Sequence, residues 1–302
     1  MVTILIPSYN HEDYILECLR EAIKVDIPSR EIIIIDDGST DKTAELVQDF
    51  IEECHSESKI TLVRKQHSGL VSSLNLGLTM TTTEYFYCIA SDDIPIPLGI
   101  EEAVRYLEQR PNLYFLIAGG ENFFEDGTTT PIYTAKHTRF FDLPVQKRNQ
   151  ELFLNFPQPI LLQSTVFRTD ALKETGGWNS GLEWDDYPMF VKLLMYYPER
   201  GRHFEFLPTI LVVKYRHYNS NSYKNLEKQF FMVKQGFEYL APQHLKNKAI
   251  GYNLGYYALK ALTLFQPRIA ISLVLSSPVA TWGWAIIGMF RVTLRKIWTI
   301  MK

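Results

Sequence analysis

Through the first hundred residues, short apolar runs rich in β-branched side chains alternate with stretches whose apolar residues recur at helical spacing. No other feature constrains the fold as strongly. Val2-Thr3-Ile4-Leu5-Ile6 reads as a strand that stops at Pro7, and His11 to Lys24 then places Ile15, Leu19, Ala22 and Ile23 on one helical face. Glu31 to Ile35 is a second strand, and the helix that Asp41 opens turns Ala44, Val47 and Ile51 inward. Ile60–Val63 with a helix from Gly69 to Met80 makes a third unit, and Tyr85–Ala90 is a fourth strand. Runs that are apolar on both faces require a parallel sheet covered by helices, and such sheets bind ligands beyond the carboxyl ends of their strands. Polar residues stand at those ends: Ser8, Tyr9 and Asn10 after the first strand, Asp36 and Asp37 after the second, Asp92 and Asp93 after the fourth.

Beyond residue 95 the pattern loosens. Pro95 and Pro97 interrupt it, Leu98 to Gln109 reads as another helix, and strands are expected around Leu113–Ala118 and Ser164–Phe167 with a long polar connection between them. Gly176-Gly177 marks a turn, and Asp185-Asp186-Tyr187-Pro188 opens a helix through Met195, where free N–H groups favour an acid. Strands around Phe204–Leu207 and Ile210–Tyr215 precede an Asn- and Ser-rich loop, and helical patterns resume near Leu226.

Three acidic sites carry the chemistry. Taken singly, Asp36-Asp37-Gly38 is a turn in which Asp caps the next helix and Gly supplies a positive φ, and Asp185-Asp186 is a capped helix start. Two Asp pairs at strand ends of one sheet change that balance. Adjacent carboxylates crowd like charge, a divalent cation carried by a diphosphate would relieve it, and oxygen ligands of this kind suit Mg²⁺ or Mn²⁺. Near such a cation, Asp185 or Asp186 becomes a candidate general base, since a carboxylate can deprotonate a hydroxyl that it touches. His217 lies in a loop that could close over a bound diphosphate. The chain has no Gly-rich dinucleotide fingerprint, P-loop, nucleophile elbow or zinc motif.

In order along residues 1–222, Ile6-Pro7-Ser8-Tyr9-Asn10 with Glu12, Asp36-Asp37-Gly38-Ser39-Thr40-Asp41, Gly69 with Asn75 and Gly77, Ala90-Ser91-Asp92-Asp93, Gly176-Gly177-Trp178, Asp185-Asp186-Tyr187 and Tyr215-Arg216-His217 together resemble the family 2 glycosyltransferases of the GT-A fold. The resemblance implies an α/β fold, a Rossmann-like, mixed and mostly parallel sheet flanked by helices. Its nucleotide-binding half would be 1–95 and its acceptor half 96–222, followed by a helical extension over 223–302. It implies a nucleotide-sugar site in which Pro7 and Tyr9 line the base pocket, Asn10 and Glu12 stand at the same strand end, and Asp37 bonds the base or ribose. Asp92 would face the ribose or donor sugar. Asp93 would bind the cation, Mn²⁺ or Mg²⁺, with His217 as a further candidate ligand. Asp186, or Asp185 beside it, would take the proton from an acceptor hydroxyl in a single inverting displacement. Leu74 stands before Asn75 where the family often has a basic residue, so diphosphate or base contact falls to Arg64, Lys65 or His67. Donor uridine diphosphate sugars and a glycan or lipid-linked acceptor follow, with residues 120–165 shaping the acceptor site.

Charge separates the chain into two parts. Residues 1–238 hold all 34 Asp and Glu against 23 Lys and Arg, a balance of −11, whereas 239–302 hold eight Lys and Arg and no acid. The net charge of −3 argues against nucleic acid as a partner. Ile269 to Phe290 is uncharged, bracketed by Arg268 and Arg291, and about the length that spans a bilayer, but Pro278, three serines and two glycines dilute it. Read as two helices, Arg268–Ser276 and Val279–Met301, with Trp282, Trp284 and Trp298 beside Arg291, Arg295, Lys296 and Lys302, the tail suits the surface of an anionic membrane. Packing on the catalytic domain or on a second copy is the alternative. Three cysteines without metal or redox spacing fit a reducing compartment, and no secretion signal opens the sequence, so the expected place is the cytoplasmic face of the membrane. Two other classes stay open: a nucleotidyltransferase, which should carry a Gly-rich basic loop after the first strand, and a non-catalytic scaffold, which should have lost an acidic site.

Overall fold

The computed structural model describes residues 1–54, 59–217 and 225–300, with side chains through Thr293. The chain forms two compact units, Met1–Val145 with Pro157–Tyr218, and Gln146–Phe156 with Asn219–Lys302.

The first unit is a nine-stranded mixed sheet. In chain order its elements are β1 (Val2–Ser8), α1 (Ile15–Ala22), β2 (Glu31–Asp36), α2 (Thr43–Glu53), β3 (Lys59–Arg64), α3 (Leu70–Met80), β4 (Tyr85–Cys88), β5 (Ile94–Pro95), α4 (Pro97–Glu108), β6 (Phe115–Phe124), β7 (Thr129–Pro131) and α5 (Ala135–Phe141). After α6 (Val145–Leu154), which groups largely with the second unit, come β8 (Thr165–Arg168), α7 (Thr169–Glu174), α8 (Asp186–Tyr196) and β9 (Phe204–His217). Strands run in the order β3-β2-β1-β4-β8-β6-β9-β5, with β7 on β6. The four strands expected in the first ninety residues pair in parallel, β1 with β2 and β4, and β2 with β3. Every residue of β1 and β2 is buried, the pattern of strands covered on both faces, while β3 is half exposed with Lys59 and Arg64 at its ends, as an edge strand should be.

The second half of the sheet is mixed. β8 runs antiparallel between β4 and β6, and β6 pairs in parallel with β9. The two strands expected over 204–215 are one long strand, because register shifts between Ala118, Gly119 and Gly120 absorb the irregularity around Pro208 without ending the pairing. Ile94-Pro95, where the prolines suggested only a break, forms a two-residue strand against Val213 and Lys214. The polar connection over 120–163 contains β7, α5 and α6.

The second unit is helical: α6, then α9 (Leu226–Leu240), α10 (Gln243–Thr263), α11 (Pro267–Leu275) and α12 (Trp282–Ile300). Phe230, Leu254, Leu273 and Ala285 form one buried cluster, and Leu226, Ala258, Ala261 and Ala270 another. α10 and α12 approach closely. A Cβ placed on Gly255 would stand 2.2 Å from the carbonyl oxygen of Ala285, so only glycine permits this contact. Trp298, Arg295, Lys296 and Lys302 of the basic tail lie outside the residues whose side chains are described.

Candidate active site

The carboxyl ends of β1, β2 and β4 lie side by side, and the loops that leave them interlock. Asn10 has a φ of 53°, its Oδ1 accepts the Thr40 N–H at 2.8 Å, and its own N–H donates to Ser39 Oγ at 3.0 Å. The Glu12 carboxylate accepts the Lys42 N–H at 2.9 Å, and the Glu12 N–H donates to Asp41 Oδ2 at 3.1 Å. These two expected site residues thus fasten the loop after β1 to the start of α2. Pro7 is buried at the end of β1 opposite Ile35. Tyr9 is 40% exposed and stacks on His67, ring centroids 4.2 Å apart.

Asp37 stands at the centre of a web of donors. Its Oδ1 accepts the Lys65 ammonium and the Ser68 N–H at 2.9 Å, and its Oδ2 accepts the Gly69 N–H at 2.8 Å and lies 3.0 Å from His67 Nδ1. A carboxylate has about four acceptor positions, and Asp37 fills them with protein groups. Burial alone would oppose its ionisation, but the Lys65 ammonium and the two N–H groups outweigh that cost and hold its pKa below the ordinary carboxylate value. Gly38 has a φ of 75°, and a Cβ there would meet the His67 nitrogen at 2.9 Å, so a glycine is required for the loop over 65–69 to lie against this turn. Lys65, expected to face the diphosphate or base, is here the counter-ion of Asp37.

The second and third acidic sites are joined. Asp93 is 2% exposed; its Oδ1 accepts the Arg216 N–H at 2.8 Å, and its Oδ2 lies 3.5 Å from Gln163 Nε2. Asp186, first residue of α8, accepts the Leu162 N–H at 2.8 Å, and Asp185 precedes it at the helix start. The dipeptide Leu162-Gln163 therefore touches both acids. Tyr133 holds that segment, its hydroxyl accepting the Leu161 N–H at 3.1 Å and bonding Ser164 Oγ at 2.5 Å. Burial, then the charge of Asp92, pushes the Asp93 pKa well above the ordinary carboxylate value, against the Arg216 N–H and charge and the Gln163 amide. The Asp186 pKa is likewise pushed well up, by burial and by the charge of Asp185, with Asp93 adding to it. Burial raises that of Asp185. The amino end of α8 would favour negative charge, but the surrounding protein withholds enough water to reverse the sign.

Asp92 keeps partial exposure. His11 reaches toward it, Nε2 3.9 Å from Asp92 Oδ2, while His11 Nδ1 bonds Ser91 Oγ at 2.7 Å. Arg216 closes this side: its Nε donates to the Asp92 carbonyl at 2.9 Å and its Nη2 pairs with Glu17 at 2.5 Å. His217 Nε2 is 2.8 Å from Asn122 Oδ1 and its ring stacks on Phe124, and burial lowers its pKa. The loop beyond His217 lies outside the described residues. Among the described residues no group of three or more His, Cys, Asp or Glu side chains converges as a metal cage.

Several motif residues turn out to be braces. Asn75 bonds Trp178 twice, Nδ2 to its carbonyl at 2.9 Å and Oδ1 from its N–H at 2.8 Å, and Lys192 donates to the Gly177 carbonyl at 2.6 Å. Together they fix the Gly176-Gly177-Trp178 turn to α3 and α8. Sequence reasoning did not assign Gln163, Leu162 or Arg216 to the site. Two of their contacts come from main-chain N–H groups, which carry no residue-type signature; the position of Arg216 beside His217 was the one available signal.

A family model described as glycosyl transferase family 2 matches residues 3–171. Poly-beta-1,6-N-acetyl-D-glucosamine synthase of Staphylococcus epidermidis is 24% identical over 197 residues, 65% of this chain and 46% of that one. The chain thus spans about half the length of this curated relative. Among solved structures, S. aureus TarS 1-349 in complex with UDP-GlcNAc superposes with a TM-score of 0.59 at 16% identity, covering 95% of this chain and 79% of that one. Mannosyltransferase PcManGT from Pyrobaculum calidifontis, in complex with GDP-Man and Mn²⁺, gives a TM-score of 0.60 at 18% identity, covering 99% of this chain and 83% of that one. The architecture is of the GT-A type.

Proposed function

The chain belongs to glycosyl transferase family 2, and from that premise we propose that it moves a sugar from a nucleoside diphosphate donor to a hydroxyl of a glycan or lipid-linked acceptor in the synthesis of a cell-surface polysaccharide or glycoconjugate. The observation that carries this reading is the joining of Asp93 and Asp186 through Leu162-Gln163, two carboxylates whose pKa values are both raised in one site. Such a site is complementary to a ligand that brings a cation and a hydroxyl together.

Asp186 is the base. The acceptor oxygen forms a bond to the anomeric carbon while the bond from that carbon to the diphosphate breaks, the hydroxyl proton passes to the Asp186 carboxylate, and the carbon inverts. A raised pKa suits a general base, because it makes the carboxylate a stronger proton acceptor. The Leu162 N–H orients Asp186 through one oxygen.

The donor set fits a divalent cation of the kind that takes one or two protein carboxylates and completes its shell with substrate phosphates. Asp93, with Asp92 beside it, would hold Mn²⁺ or Mg²⁺, which when bound would supply positive charge to the diphosphate. Two structural neighbours, one in complex with UDP-GlcNAc and one with GDP-Man and Mn²⁺, support a nucleotide-sugar donor and a metal, and the Staphylococcus relative, a poly-beta-1,6-N-acetyl-D-glucosamine synthase, makes N-acetylglucosamine the first sugar to try.

The test is a donor panel incubated with Mn²⁺ and assayed for the nucleotide released. Release of nucleoside diphosphate is expected. Release of pyrophosphate from a nucleoside triphosphate and a sugar phosphate would assign the site to nucleotidyl transfer instead, and silence in both assays would leave a non-catalytic scaffold.

A further inference from the structure

The second unit presents a surface that catalysis does not use. Residues 262–268, the turn from α10 into α11, are all exposed, and Phe265 at the tip is 93% exposed. The turn is well closed: the Phe265 N–H donates to the Leu262 carbonyl at 3.1 Å and the Gln266 N–H to the Ala261 carbonyl at 2.9 Å. The aromatic ring is therefore displayed by an ordered turn. α11 continues the theme, with Ile271 and Leu275 exposed one turn apart while Ala270 and Leu273 are buried. On α12, Ile286, Ile287 and Phe290 are exposed and Ala285 is buried. A folded chain seldom leaves this much apolar surface in one stretch without a partner for it.

Charge selects the partner. Residues 239–302 contain eight Lys and Arg and no acid. A second copy apposed through this stretch would bring cations against cations with no carboxylate within 239–302 to pair them, whereas an anionic bilayer offers an apolar interior and negative headgroups together. The geometry selects the mode. Among the described residues no single helix is long and apolar enough to cross a membrane, and α11 meets the following segment, Val279–Thr293, at 115°. Together the two are apolar enough to enter a bilayer only as a bent pair, and the exposed apolar flank that each keeps beside a buried one favours lying at the surface. Two of the three tryptophans expected as anchors have protein partners: the Trp282 ring N–H donates to the Val274 carbonyl at 3.1 Å, and Trp284 packs against Tyr252 with Lys248 5.0 Å above its ring, while the Trp298 side chain lies outside the described residues.

We propose that the α10–α11 turn and the exposed flanks of α11 and α12 insert into the interface of an anionic lipid bilayer, with Leu264 and Phe265 leading and Arg268 at headgroup level. Relative to the sequence expectation for 268–302, this moves the leading edge back to Leu264 and Phe265 and gives the lead to phenylalanine and aliphatic side chains rather than tryptophan.

The experiment is sedimentation of the full chain with vesicles of phosphatidylglycerol and phosphatidylcholine, compared with phosphatidylcholine alone. Binding to the anionic vesicles is expected, weaker by about tenfold without the anionic lipid. A cation near such a surface contributes roughly fivefold to partitioning, so R268E should weaken binding at least that much. The double variant L264S/F265S should lose about tenfold or more. Both side chains are exposed, so thermal melts should match the parent, and L98S, which alters an exposed apolar residue of the first unit, should bind as the parent does. No binding to anionic vesicles, or full binding by L264S/F265S, would overturn the proposal. So would a concentration-dependent dimer that L264S/F265S dissolves while vesicles remain unbound.

Discussion

Asp37 and Asp93 begin alike, each the second member of an Asp pair at the carboxyl end of a parallel strand, and each nearly fully buried. Their electrostatics are opposite. Asp37 is surrounded by a lysine and main-chain N–H groups and its pKa is depressed; Asp93 is buried beside Asp92, the Arg216 N–H and charge and the Gln163 amide do not offset this, and its pKa is raised. The difference shows which carboxylate the protein's own donors hold charged and which they do not. A satisfied acid holds a loop, and an acid short of positive charge is the one expected to take a ligand.

Substitutions should separate the two by sign. The largest effect is expected from Asp186→Asn, which removes the proposed base: turnover should fall by about 10²–10⁴-fold while donor binding is retained, read by single-turnover transfer beside donor titration. Normal turnover in that variant would end the assignment of Asp186. Next is Asp37→Ala. It leaves the Ser68 and Gly69 N–H groups and Lys65 without their acceptor, and should cost about 2 kcal/mol of stability in chemical denaturation. Asp93→Asn should do the reverse and stabilise the ligand-free protein by about 1 kcal/mol, since it replaces a buried acid beside Asp92 with a neutral amide that still offers an acceptor to the Arg216 N–H. If both substitutions destabilised the protein equally, the contrast would fail.

The smallest effect is expected in the dependence on pH. Asp37, with a depressed pKa, contributes stability that is complete above the ordinary carboxylate value of about 4 and is lost as pH falls through its folded pKa. Asp93 and Asp186, with raised pKa values, hold protons in the folded state that the unfolded chain has already released. They therefore reduce stability as pH rises from about 4 through their folded values. Melting curves of the metal-free protein should fall over that upper range, and Asp93→Asn should flatten the fall.

Much of this contrast could be read in part from sequence. A strand buried on both faces is written as an unbroken apolar run, so β1, β2 and β4 and the acids that follow them stand out, and Asp185-Asp186 before Pro188 marks the start of α8. What separates Asp37 from Asp93 could not be read, because the donors to Asp37, the Lys65 ammonium and two main-chain N–H groups, lie about thirty residues further along. The bridge through Leu162-Gln163 depends on an N–H and an amide in a stretch that reads only as polar connection. α6 was missed for a related reason: its buried face includes Arg148, which breaks the apolar periodicity. β5 was missed because two residues, one of them proline, form a strand only through the neighbour they pair with.

The central claim is that Asp93 waits for a cation that arrives with the donor. Calorimetric titration of a uridine diphosphate sugar into the full chain, with and without Mn²⁺, tests it most directly. Wild type and Asp186→Asn should bind the nucleotide in a metal-dependent way, and Asp93→Asn should lose that dependence; equal metal-dependent binding by Asp93→Asn and wild type would contradict it.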